Sequence, residues 1–375
     1  MISFLAAALA LSQGQEVVQP IQVPDNPGLT IQEVVTQLDP PKIAPKLFKG
    51  DQHWPFPWLT RGYGTMGEEN VGHLRVRVYS QERLEKNDLG PRVTRMAMQI
   101  WDRCYKRLKL DSPERFNSGI VDYYLCFDGV PGGEQETQSD EVPDPTAPGG
   151  SRQITANSIY IYQLKTFKDP VEMAREVAHE YGHAVLPDIG GFKEPEEWAN
   201  GYLGEKLFLT WFKTDMAAGR LTPDDAMGAS LQGISDWVAK NVDPLVQQAA
   251  YQFPAPTNIN EAKGGMDAFL GLAMYVDEMC PSAVFLRSLT YTQDAHKGGA
   301  VTPPTDYADN VVLAASEVED LTLAVPKSVF DSKKPIWIPL GKGTLHGATI
   351  ISHQGGWAKV LPLVPDIVVK NPPIG

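Results

Sequence analysis

The stretch Pro170-Val171-Glu172-Met173-Ala174-Arg175-Glu176-Val177-Ala178-His179-Glu180-Tyr181-Gly182-His183-Ala184-Val185-Leu186 decides how this chain reads. Asp169 stands where a helix N-cap belongs, and Pro170 suits the first helical position. The spacing predicts a helix over 170–186. His179 and His183 are four residues apart, so both imidazoles project from one helix face and can reach one ion. Glu180 lies about 100° around the helix, close to that ion without having to ligate it. Neutral imidazole is a natural ligand for Zn²⁺. His179-Glu180-x-x-His183 is the His-Glu-x-x-His arrangement, in which two imidazoles can share one ion and the Glu is placed to act on a water bound to it.

A catalytic zinc needs a third protein ligand and an open position. A ligand following His183 at the His-x-x-Gly-x-x-His/Asp spacing is excluded, because Leu186 and Ile189 occupy the required positions. Asp188 lies one position early and follows Pro187. Glu205 reads as a solvated residue two turns into the next helix. Glu196 is favoured, with Glu197, one position on, as the alternative. Pro195 is expected to open a new helix, with Glu196 in its first turn and Asn200 at i+4 on the same face. Asn200 could then accept a hydrogen bond from a ligating histidine and fix its tautomer. An acidic first turn also suits a helix dipole without any metal. Tyr202, Tyr291 and His296 are candidate oxyanion donors.

His179-Glu-x-x-His183 followed by Glu196-x-x-Ala199-Asn200 resembles the gluzincin group of zinc metallopeptidases. The likeness is to subgroups with a Glu-x-x-Ala-Asp/Asn second motif, such as the ImmA-like peptidases, with thermolysin a distant member of the same clan. It covers about residues 155–210. The resemblance implies peptide hydrolysis with a Zn²⁺ cofactor and a peptide or protein substrate. It also implies a zincin-like α+β fold, in which a mixed sheet with a backing helix sits over the zinc helix. A mainly helical lobe and a short C-terminal β region follow. In related enzymes the strand before the zinc helix pairs with substrate, a role that would fall to Ser158–Leu164 through main-chain hydrogen bonds. The alternative keeps the metal without catalysis, as an exported zinc-binding protein. Glu180 speaks against that, since a structural site needs no general base.

Working outward, Ser158–Leu164 reads as a strand. Before it, His73–Tyr79 alternates Leu74, Val76 and Val78 with Arg75 and Arg77, a half-buried strand. A helix then opens at Pro91. It places Val93, Met96, Ala97, Ile100, Trp101, Cys104, Tyr105 and Leu108 on one face. Residues 120–127 fit a further strand. Residues 131–150, rich in Gly, Pro, Glu and Asp, are expected to form a mobile loop. Downstream, helices are expected within 192–213, after the Thr222-Pro223-Asp224-Asp225 cap, and over 266–279. Residues 300–308 read as a linker, and 335–370 as short strands.

At the N-terminus, Ile2–Leu11 is an apolar run followed by Ser12 and Gly14 at signal-peptidase spacing. Residues 1–14 are therefore expected to be a signal peptide, although no Lys or Arg precedes the run. That would make the chain secreted or resident in the periplasm or cell envelope. Residues 15–70 form a Pro-rich arm with one short helix expected near Thr30–Leu38. The expected division continues with a metallopeptidase domain over 71–300 (an α/β part to 186, a helical lobe from 187) and a linker plus β-rich region over 301–375.

The chain has 375 residues, 46 acidic and 33 basic, for a net charge of −13. That balance argues against a nucleic-acid partner, which calls for clustered Lys and Arg. No apolar run is long enough for a transmembrane helix. Nothing in the sequence signals an oligomeric state. The three cysteines, Cys104, Cys126 and Cys280, are too few for a disulfide scaffold. A Cys104–Cys126 pair is possible in an exported chain, but burial as small core residues is favoured. Trp337 and Trp357 are likewise expected in a core.

Overall fold

The computed structural model describes residues 16–17, 21–22, 29–38, 58–67, 75–80, 89–108, 120–126, 130–143, 148–254, 265–296 and 303–373. The signal peptide expected at 1–14 lies outside them. The fold is α+β and divides into two compact units. One comprises Met1–Val185 with Phe208–Ile234, the other Leu186–Leu207 with Ser235–Gly375. Among the described residues, no helix is long and apolar enough to cross a membrane.

The first unit is built on a mixed sheet. Its strands are β1 (Glu16–Val17), β2 (Ile21–Gln22), β3 (Leu29–Leu38), β4 (Trp58–Gly67), β5 (Arg75–Ser80), β6 (Ile120–Cys126), β7 (Gly132–Pro143) and β8 (Ser151–Tyr162). The order is β1-β3-β4-β5-β6-β8-β7, with β2 also on β3. Strands β5, β6 and β8 run parallel, and β7 returns antiparallel to β8 along twelve residue pairs.

Two expectations fail here. The helix expected near Thr30–Leu38 is strand β3, paired antiparallel with β4 along its whole length. Its run of β-branched residues (Thr30, Ile31, Val34, Val35, Thr36) suits a pleated sheet better than a helix. The mobile loop expected at 131–150 is largely β7. Glu134, Gln135, Glu136, Gln138 and Asp140 carry no apolar alternation. The ladder to β8 organises the segment instead, and an outer strand tolerates such polarity.

Helix α1 (Gly90–Arg103) and its π-helical extension (Cys104–Leu108) show the expected face. Val93, Met96, Ala97, Ile100, Trp101, Cys104 and Leu108 are buried. Helix α2 (Pro170–Val185) packs on α1, β7 and β8. Asp169 caps it as expected, its Oδ1 accepting from the Val171 amide at 2.9 Å. Beyond it lies the far end of α3 (Asn200–Ala217). Thr222 and Asp225 then form a capping box on a short 3₁₀ turn, not on a long helix. Gly228, at φ +89°, breaks the chain before α4 (Leu231–Asn241).

The second unit holds the start of α3, then α5 (Asp243–Tyr251), α6 (Gly265–Met279), α7 (Ser282–His296) and α8 (Pro303–Ser316). The linker expected over 300–308 is helical from Pro303, where two prolines in a first turn are no obstacle. Strands β9 (Asp320–Ala324), β10 (Ile336–Pro339), β11 (Thr344–His346), β12 (Ala348–Gln354), β13 (Trp357–Pro362) and β14 (Asp366–Lys370) form two three-stranded sheets, β10-β13-β12 and β11-β14-β9. A short α9 (Lys327–Asp331) lies among them. Trp337 and Trp357 are buried, as expected, and Phe253 packs on Trp337 at 4.9 Å between ring centres. Cys104, Cys126 and Cys280 are buried.

Candidate metal centre

Helix α2 carries His179, Glu180 and His183 in its last two turns. The cap at Asp169 fixes where the helix begins. Val171, Ala174, Val177, Ala178, Tyr181 and Ala184 bury one face and so fix its rotation. With both set, the two histidines present Nε2 to Nε2 at 3.2 Å, their rings nearly edge to face. Two such nitrogens repel unless a proton or a cation lies between their lone pairs. Two imidazoles on one tetrahedral zinc, each about 2.0–2.1 Å from it, would set their nitrogens about 3.3–3.4 Å apart. A shared proton or a bound cation accounts for that spacing equally.

Ligand atoms of His179, His183 and Glu196 all lie within 4.8 Å of one another. Of the candidate third ligands, Glu196 is the one brought into this group. It does not sit in a helix. The expected helix start at Pro195 fails: α3 begins at Asn200, and 187–199 is irregular. The backbone groups that would have made a first turn are used across the loop. The Phe192 amide donates to the Glu197 carbonyl at 3.2 Å, and the Ala199 amide to the Ile189 carbonyl at 2.8 Å. Trp198 lays its ring against Gly190, where a Cβ would meet ring carbons at 2.6 Å.

Asn200 is buried, and its side-chain amide donates to Asp188 Oδ1 at 3.1 Å. That bond directs Nδ2 at Asp188. Asp188 is thus a loop-bracing residue outside the three-ligand group. Glu205 departs from the solvated reading. It is 3% exposed and pairs with Lys206 Nζ at 2.9 Å, a buried ion pair.

Of the three candidate oxyanion donors, Tyr202 and Tyr291 have described side chains. Lys206 Nζ stands 5.3 Å from the Tyr202 ring centre. The Tyr291 hydroxyl donates to both carboxylate oxygens of Glu317, at 2.8 and 2.9 Å. That bond, then burial and the Glu317 charge, raises its pKa. His296 is the last residue of α7, and its side chain lies outside the described residues.

Sequence reasoning missed the surroundings of Glu180. The residue is 3% exposed, and Gly133 of β7 passes directly against its side chain. Tyr123 of β6 stacks on Tyr181, with ring centres 6.1 Å apart. Burial above all, then Tyr181 and the Glu180 charge, holds the Tyr123 phenol well above its ordinary pKa, so it stays neutral. The strand expected to meet substrate is also corrected. Strand β8 is flanked by β6 and β7, so its main chain is already paired on both sides. Strand β7 is the outer strand on that side of the sheet, and among the described residues no strand pairs with its other edge. The signal was present in Gly132-Gly133, which reads first as a turn and here marks close backbone approach.

The chain matches no protein-family model, and neither a curated protein nor a solved structure is found similar to it.

Proposed function

We propose that this chain is a zinc-dependent metallopeptidase. In this reading His179, His183 and Glu196 hold the ion, and Glu180 is the general base of peptide-bond hydrolysis. The observation that supports it is the convergence of the three ligand atoms within 4.8 Å, two of them from the His-Glu-x-x-His helix. Zinc bound there would polarise the scissile carbonyl and bring the pKa of water toward neutrality.

The remaining steps belong to the chain. A Glu180 carboxylate oxygen takes a proton from the attacking water as its oxygen bonds to the carbonyl carbon. The same carboxyl then passes that proton to the leaving nitrogen as the C–N bond breaks. Burial removes water that would compete for the carboxylate and strengthens its interactions. Strand β7 offers an outer main-chain edge on which an extended substrate could add as a further strand. The Glu180 carboxylate lies against this same strand, so one element would hold both substrate and base.

Glu180→Gln keeps the shape and removes the base. On a mixed peptide library it should lose about 10²–10⁴-fold in turnover, the usual worth of a general base, while zinc content stays at wild-type level. Chelation should silence the wild type, and added zinc should restore it. Cleavage that persists unchanged in Glu180→Gln, or in chelator, would overturn the assignment.

A further inference from the structure

Gly132 and Gly133 open β7, and they are glycines for different reasons. Gly132 has φ +140°, a backbone conformation that side chains rarely adopt. Gly133 is not among the residues with left-handed backbone, so its own conformation admits any residue. A glycine inside a strand weakens it, because it adds chain entropy and packs nothing. Something other than backbone geometry must account for it.

The neighbour accounts for it. A Cβ on residue 133 would lie 2.6 Å from Glu180 Cγ, 2.6 Å from Glu180 Oε1 and 2.7 Å from Glu180 Cδ. Real Cβ atoms essentially never come within 3.0 Å of another heavy atom. Three atoms of one side chain, the carboxylate among them, fill the volume that any other residue would claim. Glu180 has little room to yield, being almost wholly buried. One turn earlier Glu176, also buried, takes up the space beside Gly132, with Oε1 3.9 Å from where a Cβ would stand. Arg175 Nη2 holds Glu176 at 3.3 Å.

We propose that Gly133 is a positioning residue for Glu180. Its missing side chain lets the carboxylate lie against the β7 main chain and fixes how far the base stands from that strand. This rests on the reading of Glu180 as the general base, and Gly133 acts only through it. The distance matters because a displacement of about 1 Å at a reacting group can cost about 10²-fold in rate. If substrate pairs along β7, the spacing between base and scissile bond is set within one strand.

The test is Gly133→Ala in two backgrounds, wild type and Glu180→Ala. Melting temperature and zinc content are read for all four proteins, and kcat and KM for wild type and Gly133→Ala. The single variant should lose about 100-fold in kcat, with KM within about threefold and zinc content unchanged. It should also melt lower than wild type. In the Glu180→Ala background the same change should cost nothing or stabilise, since the clashing atoms are gone. A kcat within about threefold of wild type, or an equal melting penalty in both backgrounds, overturns the proposal. Should Gly133→Ala fail to fold alone, folding of the double variant supports the proposal and its failure refutes it. If the wild type cleaves no peptide, the peptidase reading falls, while the melting cycle still decides whether Gly133 spaces Glu180.

Discussion

Helix α2 and the segment 187–199 hold their proposed ligands by different means. In α2 the spacing of His179 and His183 is a property of the helix: four residues bring both side chains to one face, and the cap at Asp169 fixes the register. In 187–199 no such period exists. Glu196 is held in a loop closed by two main-chain hydrogen bonds, by the Trp198 ring on Gly190, and by Asn200 bracing Asp188. A helix ligand therefore tolerates changes around it, whereas a loop ligand depends on contacts that single substitutions can remove. The comparison also explains why the loop uses glycine at 190: the indole needs the space a Cβ would occupy.

The largest expected effect comes from the proposed ligands themselves. His183→Ala and Glu196→Ala should each weaken zinc binding by more than the about 10–100-fold typical of losing an outer-shell partner. Glu205→Ala separates metal from stability. It strands Lys206 as a buried charge, a change that typically costs about 3–5 kcal/mol, yet zinc content should stay full. Zinc lost from Glu205→Ala but kept by Glu196→Ala would reverse the assignment. Competition against a chromophoric chelator measures all three.

A smaller effect should separate loop from helix. Gly190→Ala forces the Trp198 ring to move, and the ring lies two residues from Glu196. Zinc affinity should fall about tenfold, in the range of outer-shell substitutions, with little change in melting temperature. An affinity equal to wild type would mean that Trp198 does not set the reach of Glu196, and the contrast with α2 would lose its basis.

Legibility in the sequence followed the same division. His179, Glu180 and His183 could be placed because their arrangement is local and periodic. Glu196 is the favoured residue in the sequence because a proline followed by acids suggests a helix start, whereas nothing local announces the loop closure between Ile189 and Ala199. Strand β7 is hard to read because an outer strand needs no apolar face, and its Gly, Glu and Asp content suits a loop equally. Strand β3 shows the converse, since a run of β-branched residues is organised by the ladder to β4 some thirty positions on. Gly133 could not be interpreted until Glu180 was beside it, because the contact joins residues 47 apart in the chain.

The smallest effect concerns the scaffold behind α2. Asp215, near the end of α3, accepts from Arg103 Nε at 2.6 Å and from Arg220 Nε at 2.9 Å, and Arg220 Nη2 also reaches it. Arg103 in turn donates to the Gln99 carbonyl and side chain, tying α1 into the cluster. Burial by itself would raise the Asp215 carboxyl, but the two guanidinium groups outweigh it and hold its pKa below the ordinary value. A carboxyl depressed in the folded state binds protons more weakly there than when unfolded. Its contribution is therefore full above the unfolded pKa of about 3.9 and is lost as pH falls through the lower folded value. The melting temperature of wild type should exceed that of Asp215→Asn at neutral pH, and the gap should close below about pH 4. A gap that persists undiminished to pH 2 would show that shape, not charge, holds Asp215 between its two arginines. Acid would then leave the helix that presents His179 and His183 as well supported as at neutral pH.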